Sequence, residues 1–487
     1  MFMNTNSIWI NDITLGKSNK LNKDIDVDVL IIGGGITGIS TAYHLMNSNL
    51  KVALVERDRI GMGITSRSTA KITYLQENIY SKLNKSFGYD VAKKYFDSQK
   101  DAIKILKNIV DTNNISCDLF ESESYLFTDD KEKIKDVKLE KDILKRFGSK
   151  VYESSMLPNS NKIKYAISVS GTYVFHPLKY LYSLKKLLLK NKINIYENSK
   201  VDSIEKEDGY YICKVNNFFI KTKKVVLALH YPYFLFPYLF PFKTTLEKSY
   251  IGVNKVDKDF HFNAINTSKP TKSIRYHKDI DDVYEINLVG SHNIAFKNND
   301  KNNFSLLEDK KYLYLWSNID IITNDYLPLI GKIDDNLLIG TGYNTWGMTN
   351  GSIAGKVLSD IILKKSNKYI DLFNPKRGIN SSNIINFPVT LFSNMKSFVG
   401  SKINRNKSWY SNNVRFDTMN GKNVGIYVDD NNIKHIVYNK CPHLGCSLEF
   451  NEVEKTWDCP CHGSRFDLDG KCINGPSNYD ISYKDNL

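Results

Sequence analysis

Val27-Asp-Val-Leu-Ile-Ile32 runs directly into Gly33-Gly34-Gly35-Ile-Thr-Gly38, and few folds accommodate that junction. The β-branched and aliphatic run predicts a buried strand. An apolar-periodic helix follows to about Met46, then a second strand, Lys51-Val-Ala-Leu-Val55, closed by Glu56. Such a strand–turn–helix–strand unit holds a dinucleotide: Gly33 allows the tight turn, Gly35 lets a pyrophosphate approach the backbone, and Gly38 permits close helix–strand packing. Free N–H groups at the helix N-terminus would face the phosphates. Glu56, twenty-three residues after Gly33, is placed to accept hydrogen bonds from ribose hydroxyls. The bland alternative is a β-turn-α unit with no ligand, and the motif by itself does not separate FAD from NAD.

A second constraint lies far downstream, in Cys441-Pro-His443-Leu-Gly-Cys446 and Cys459-Pro-Cys461-His462-Gly-Ser464-Arg-Phe466. Two Cys/His pairs, fifteen residues apart, combine soft thiolates with imidazoles. That donor set suits either a zinc knuckle or an iron–sulfur centre with mixed ligation. The extra cysteine in each loop weighs against zinc. The pattern resembles the Rieske [2Fe–2S] module. The resemblance implies that Cys441 and Cys459 hold one iron, His443 and His462 the other, and that Cys446 and Cys461 form a disulfide between the loops. Respiratory Rieske proteins usually have Tyr where this chain has Phe466. A missing hydroxyl donor predicts a lower reduction potential.

The glycine unit also has company. Arg57-Asp-Arg-Ile-Gly61-Met-Gly63-Ile-Thr65-Ser66-Arg67-Ser-Thr69-Ala70-Lys71 is similar to the loop beneath the flavin in the D-amino-acid oxidase/glycine oxidase family. Asp325-Tyr-Leu-Pro328-Leu-Ile-Gly331, with the Gly340 to Gly351 run, resembles that family's second signature, a turn and helix facing the flavin pyrimidine. The resemblance implies FAD as cofactor, held by Gly33, Gly35, Ile36, Thr37, Gly38, Glu56, Arg57, Thr65, Ser66, Thr69, Gly342, Trp346, Gly347, Met348 and Thr349. A backbone contact from Val201 to the adenine is carried over in the same way. Plain tight turns remain the alternative for the later glycines.

A chain of 487 residues exceeds one small core. The expected architecture is α/β (or α+β): a Rossmann-like FAD-binding domain with an antiparallel-sheet substrate domain, followed by a small all-β Rieske domain. FAD-binding segments are expected at about 25–75, 170–235 and 325–370, and substrate-domain segments at about 76–169 and 236–324. A linker over 381–404 and the Rieske domain over 405–487 complete the chain. Residues 1–26 read as a polar surface arm. The net charge of +14 is spread along the chain, so neither a nucleic-acid partner nor a specific polyanion site is expected. The apolar window Tyr231–Phe242 is short and broken by prolines, so no membrane span is expected, and clustered cysteines with no signal peptide read as cytoplasmic. The expected function is an FAD-dependent dehydrogenase of an amine, amino acid or related small molecule, passing electrons singly through the cluster to an unidentified one-electron partner. The alternatives are an NAD(P)H-linked Rieske-type reductase, disfavoured because no second dinucleotide unit is found, and a redox carrier or sensor without turnover. No general base is assigned. Lys71 and Arg67 are weak catalytic candidates, Lys71 being read mainly as a salt-bridged surface lysine. His176 and His230 are read as structural.

Overall fold

The computed structural model describes residues 6–231, 243–279, 282–293, 307, 311–378, 413–461 and 463–484. The expected linker 381–404, most of the apolar window 231–242 and the ligand His462 lie outside the described residues.

Strand Ile25–Ile32 sits at the centre of the nucleotide sheet, flanked in parallel by Val52–Val55 on one side and Phe218–Leu227 on the other. Val29, Leu30, Ile31 and Ile32 are all buried, as a parallel strand covered on both faces requires. Asn194–Tyr196 extends the sheet beyond Val52–Val55, and Leu337–Thr341 pairs in parallel with Phe218–Leu227. Tyr210–Val215 turns into Phe218–Leu227 as a hairpin. Asn216 takes the left-handed conformation at that turn.

A second eight-stranded sheet runs from edge strand Tyr314–Thr323 through Thr244–Val256 to Tyr152–Met156. It is antiparallel except where Phe262–Asn266 joins Glu123–Thr128 in parallel. These two strands are separated by a long passage of chain through the nucleotide sheet, so the second can enter in either direction.

Helices Ile36–Leu45 and Gly347–Ile362 cross almost backbone to backbone. A Cβ on Gly355 would fall 2.4 Å from Ser40 Cβ, and one on Gly351 2.5 Å from Ile36 Cγ2. The N-terminal segment is not a free arm: Ile8, Trp9 and Leu21 are buried, and Trp9 Nε1 donates to Ser68 O at 2.8 Å. The apolar triplet Ile8-Trp9-Ile10 binds it to the body of the protein, against the rings of His176 and His277.

The last domain has two small antiparallel sheets, Val414–Met419 to Lys434–Tyr438 and Glu449–Asn451 to Cys472–Asn474, and a bridge from Val437 to Ser482 adds the following segment to the first. Trp457 fills its centre, stacked on Gly425, where a Cβ would meet the ring at 2.5 Å. Among the described residues no helix is long and apolar enough to cross a membrane.

Candidate flavin cavity and iron–sulfur centre

Between the two large sheets lies a cleft. Its floor is the glycine turn, where Gly33, Gly34, Gly35, Ile36 and Thr37 border it. A Cβ on Gly33 would meet Ala228 O at 2.4 Å and one on Gly34 would meet Ile60 Cδ1 at 2.4 Å, whereas Gly35 opens on the cleft with only Thr65 Oγ1 nearby. Helix Ile36–Leu45 starts without a side-chain cap, and so does Gly347–Ile362, whose first residues also border the cleft. Two uncapped N-termini leave orphan N–H donors and positive dipole ends at one cavity. Gly38 stands away from the cleft and packs on Gly33 O, the helix–strand contact expected of it.

Glu56 borders the cleft and accepts from Gly34 N at 2.7 Å and Asp58 N at 2.9 Å. Burial raises its pKa against those two bonds. Each carboxylate oxygen retains a second lone pair for a ribose hydroxyl. Thr65, Thr69, Gly342, Trp346, Gly347 and Met348 also line the cleft. Thr65 Oγ1 accepts from Ile36 N at 3.2 Å, and this donor-rich site fits FAD.

Several residues expected at the flavin are elsewhere. Arg57 pairs with Asp58 and donates to Ile473 O at 3.0 Å in the last domain. Val201 gives its carbonyl to Asn478 Nδ2 at 3.1 Å. Ser66 Oγ donates to Gly63 O, and Thr349 Oγ1 accepts from Gln76 Nε2. Arg57 and Val201 are diverted because the last domain packs on the edge of the nucleotide sheet.

Lys71 is not a surface lysine. It is 8 % exposed, borders the cleft, donates to Ser273 Oγ and sits over the Trp346 ring at 5.8 Å. Burial, with help from Arg275, pushes its pKa down to about 7. Arg67 borders the cleft, and its Nη1 donates to Ser317 O at 3.3 Å and to Glu454 at 3.4 Å. His176 is structural: Nδ1 accepts from Lys179 N at 3.1 Å, capping helix Pro177–Lys190. His230 borders the cleft, and burial pushes its pKa down to about 4. Sequence reasoning missed Ser249, Ser273, Asn318 and Asp320, which line the cleft from the second sheet. Asp320 accepts from Asn318 Nδ2 at 3.1 Å, and burial plus neighbouring Glu247 push it up to about 7. Their signal was strand alternation, which marks a face but not what the face looks onto.

The two Cys/His loops share one backbone pattern. In the first, Cys441 N donates to Cys446 O and Gly445 N to Cys441 O, both at 2.8 Å. In the second, Cys459 N donates to Ser464 O at 2.7 Å and Gly463 N to Cys459 O at 3.0 Å. Gly445 and Gly463 have φ of 79° and 73°, which the tight turns require. A disulfide joins Cys446 and Cys461, and the Sγ atoms of Cys446, Cys459 and Cys461 lie within 4.8 Å of one another. The Cys459 thiol, outweighing burial, draws the Cys441 thiol down to about 7, with Ser464 adding a further bond. Ser464 Oγ is held by Ser477 N at 2.8 Å. Two adjacent thiols, with His443 carried on the first loop, fit a [2Fe–2S] cluster.

A model of FAD-dependent oxidoreductases matches residues 28–272, and one of the Rieske [2Fe–2S] domain matches 403–483. The chain is 29 % identical over 490 residues to the putative Rieske 2Fe-2S iron-sulfur protein YhfW of Bacillus subtilis, covering 96 % of this chain and 95 % of that one. It is 22 % identical to gamma-glutamylputrescine oxidoreductase of Escherichia coli, over 70 % of this chain and 85 % of that one. Among solved structures, glycine oxidase from Geobacillus kaustophilus superposes with a TM-score of 0.61 at 14 % identity, over 73 % of this chain and all of that one. The chain therefore belongs to the FAD-dependent oxidoreductase family and carries a C-terminal Rieske [2Fe–2S] domain.

Proposed function

We propose that the protein is a dehydrogenase that oxidises an amine, an amino acid or a related small molecule and releases the electrons one at a time through its cluster. The observation that carries this reading is Arg67, which borders the flavin cleft and is bonded to Glu454 of the Rieske domain, so the two redox sites share a wall. When bound, FAD supplies a two-electron hydride acceptor and the cluster a one-electron exit. The glycine turn and the two helix N-termini hold the dinucleotide, with Glu56 on the ribose. Cys441 and Cys459 hold one iron, and His443 and His462 the other. Asp320, backed by Asn318, offers an acidic contact to a substrate nitrogen, and Lys71 with Ser273 faces the same space. A relative named for gamma-glutamylputrescine supports the amine class. Oxidation of the amine to the imine releases two electrons and two protons: two equivalents of a one-electron acceptor protein or quinone take the electrons, and the protons go to solvent.

Anaerobic protein mixed with a panel of amines, amino acids and NAD(P)H tests this. The expected result is flavin bleaching by an amine or amino acid, followed by the EPR signal of a reduced [2Fe–2S] centre. Bleaching by NAD(P)H alone would replace the reading with a pyridine-nucleotide reductase.

A further inference from the structure

In the second cluster loop Cys459, Cys461, Gly463 and Ser464 are buried. Gly463 sits so close to the substrate-domain sheet that a Cβ there would fall 3.1 Å from Ile319 Cδ1 and 3.4 Å from Leu246 Cδ1. Ile319 belongs to edge strand Tyr314–Thr323, and its neighbours Asn318 and Asp320 border the flavin cleft. Alternation along this strand turns one set of side chains to the Rieske loop and the other to the cleft.

The strand's outer edge is bonded to the Rieske domain. Ser317 N donates to Glu454 Oε1 at 3.1 Å, and the Ser317 hydroxyl donates to Oε2 of the same carboxylate. Arg465 holds Glu454 from the Rieske side at 2.8 Å. Next to it, Lys248 Nζ on the adjacent strand reaches Asp458 at 3.0 Å, with the Lys248 side chain 4 % exposed. These charge-assisted bonds, with Gly463 packed on Ile319 and Leu246, hold the Rieske domain at one place on the sheet. A domain held this way is not free to swing.

We propose that Glu454 and Lys248 are positioning residues for electron transfer: they fix the second cluster loop over strands Tyr314–Thr323 and Thr244–Val256, so that this one layer of the sheet separates the cluster from the flavin cleft. The proposal rests on the reading of the cluster as the electron exit and adds the route. With both groups bound, electrons would pass singly from flavin to cluster across this layer.

The test uses full-length protein carrying both cofactors. Under anaerobic illumination EDTA donates electrons to the flavin, so no substrate needs to be known. Cluster reduction is followed by absorbance and low-temperature EPR, and hydrogen exchange is measured at Ser317, whose amide Glu454 caps. In the wild type the cluster should be reduced at a rate independent of protein concentration. In Lys248→Gln and in Glu454→Gln that rate should fall by about tenfold or more, as loss of positioning predicts. Exchange at Ser317 should quicken, while the EPR signal per iron after dithionite should not change. Lys248→Gln leaves the Rieske domain's own residues intact, which guards against misfolding in Glu454→Gln. An unchanged rate in both variants would overturn the proposal whatever the exchange shows. A wild-type cluster that stays oxidised beside reduced flavin would instead overturn the electron-exit reading.

Discussion

Replacing Lys71 by methionine should stabilise the protein, and the gain should depend on pH. In the folded chain Lys71 titrates near 7, chiefly because it is buried, against an ordinary 10.5. Below pH 7 both folded and unfolded chains hold the proton, and keeping the ammonium in the cleft costs about 5 kcal/mol. Between pH 7 and 10.5 only the unfolded chain holds it, so the cost falls as pH rises, and above 10.5 it is gone. Methionine keeps most of the side-chain volume but forfeits the bond to Ser273, worth about 1 kcal/mol. The net gain is therefore about 4 kcal/mol near pH 6.5 and close to zero near pH 9.5. Urea unfolding of the FAD-loaded protein, followed by flavin fluorescence at both pH values, measures it. A surface lysine would change stability by no more than about 0.5 kcal/mol at either pH. Equal, near-zero effects at the two pH values would refute the buried placement.

Gly355→Ala should drive apart the two helices whose N-termini meet at the cleft, since its Cβ would sit 2.7 Å from Ser40 C and 2.8 Å from Thr41 N. A loss of about 1–3 kcal/mol in stability and weaker flavin retention on dialysis are expected, despite alanine's better helix propensity. Phe466→Tyr should raise the cluster's midpoint potential in an EPR-monitored titration, because a hydroxyl donor near the ligands favours the more negative reduced state. Phe466 is fully buried against Trp457, so the hydroxyl has no route to solvent. A midpoint that failed to rise would remove the residue from the account of the potential.

The features legible in the sequence were those whose chemistry is contiguous. The glycine turn needs three small residues within six positions, and each Cys/His loop carries its ligands and its turn glycine within six. Features assembled from distant strands were not legible. Asp320 and Ser273 face the cleft only because their strands pack in one order in the second sheet. Arg67 was placed near the flavin, but its partner Glu454 lies 387 residues away, and nothing local distinguishes that carboxylate from others on the surface. Arg57 and Val201 show the converse: motif matching assigned them to the nucleotide, while the last domain takes the guanidinium of one and the carbonyl of the other. Lys71 was misread because exposed lysines dominate any tally, and only packing shows this one beneath Trp346.

The bonds around Ser317 also bear on how the two domains can be studied. An edge strand presents unpaired N–H and C=O groups, which invite association with other strands unless something covers them. Here Glu454 takes the Ser317 N–H, and Arg67 takes the Ser317 carbonyl while also binding Glu454. Burial would by itself raise the Glu454 pKa, but Arg465, Lys248 and Arg67 outweigh it and hold the carboxylate down at about 2, so the cover stays charged across the physiological range. A chain cut before the Rieske domain would lose that carboxylate, uncover the Ser317 N–H and leave Arg67 and Lys248 facing solvent without Glu454 and Asp458. A flavin domain cut loose in this way would therefore differ from the intact enzyme at the wall of its own cleft. Its kinetics would report the damage to that wall as well as the loss of the cluster, so the two are separable only in the full chain, by single substitutions at the dock.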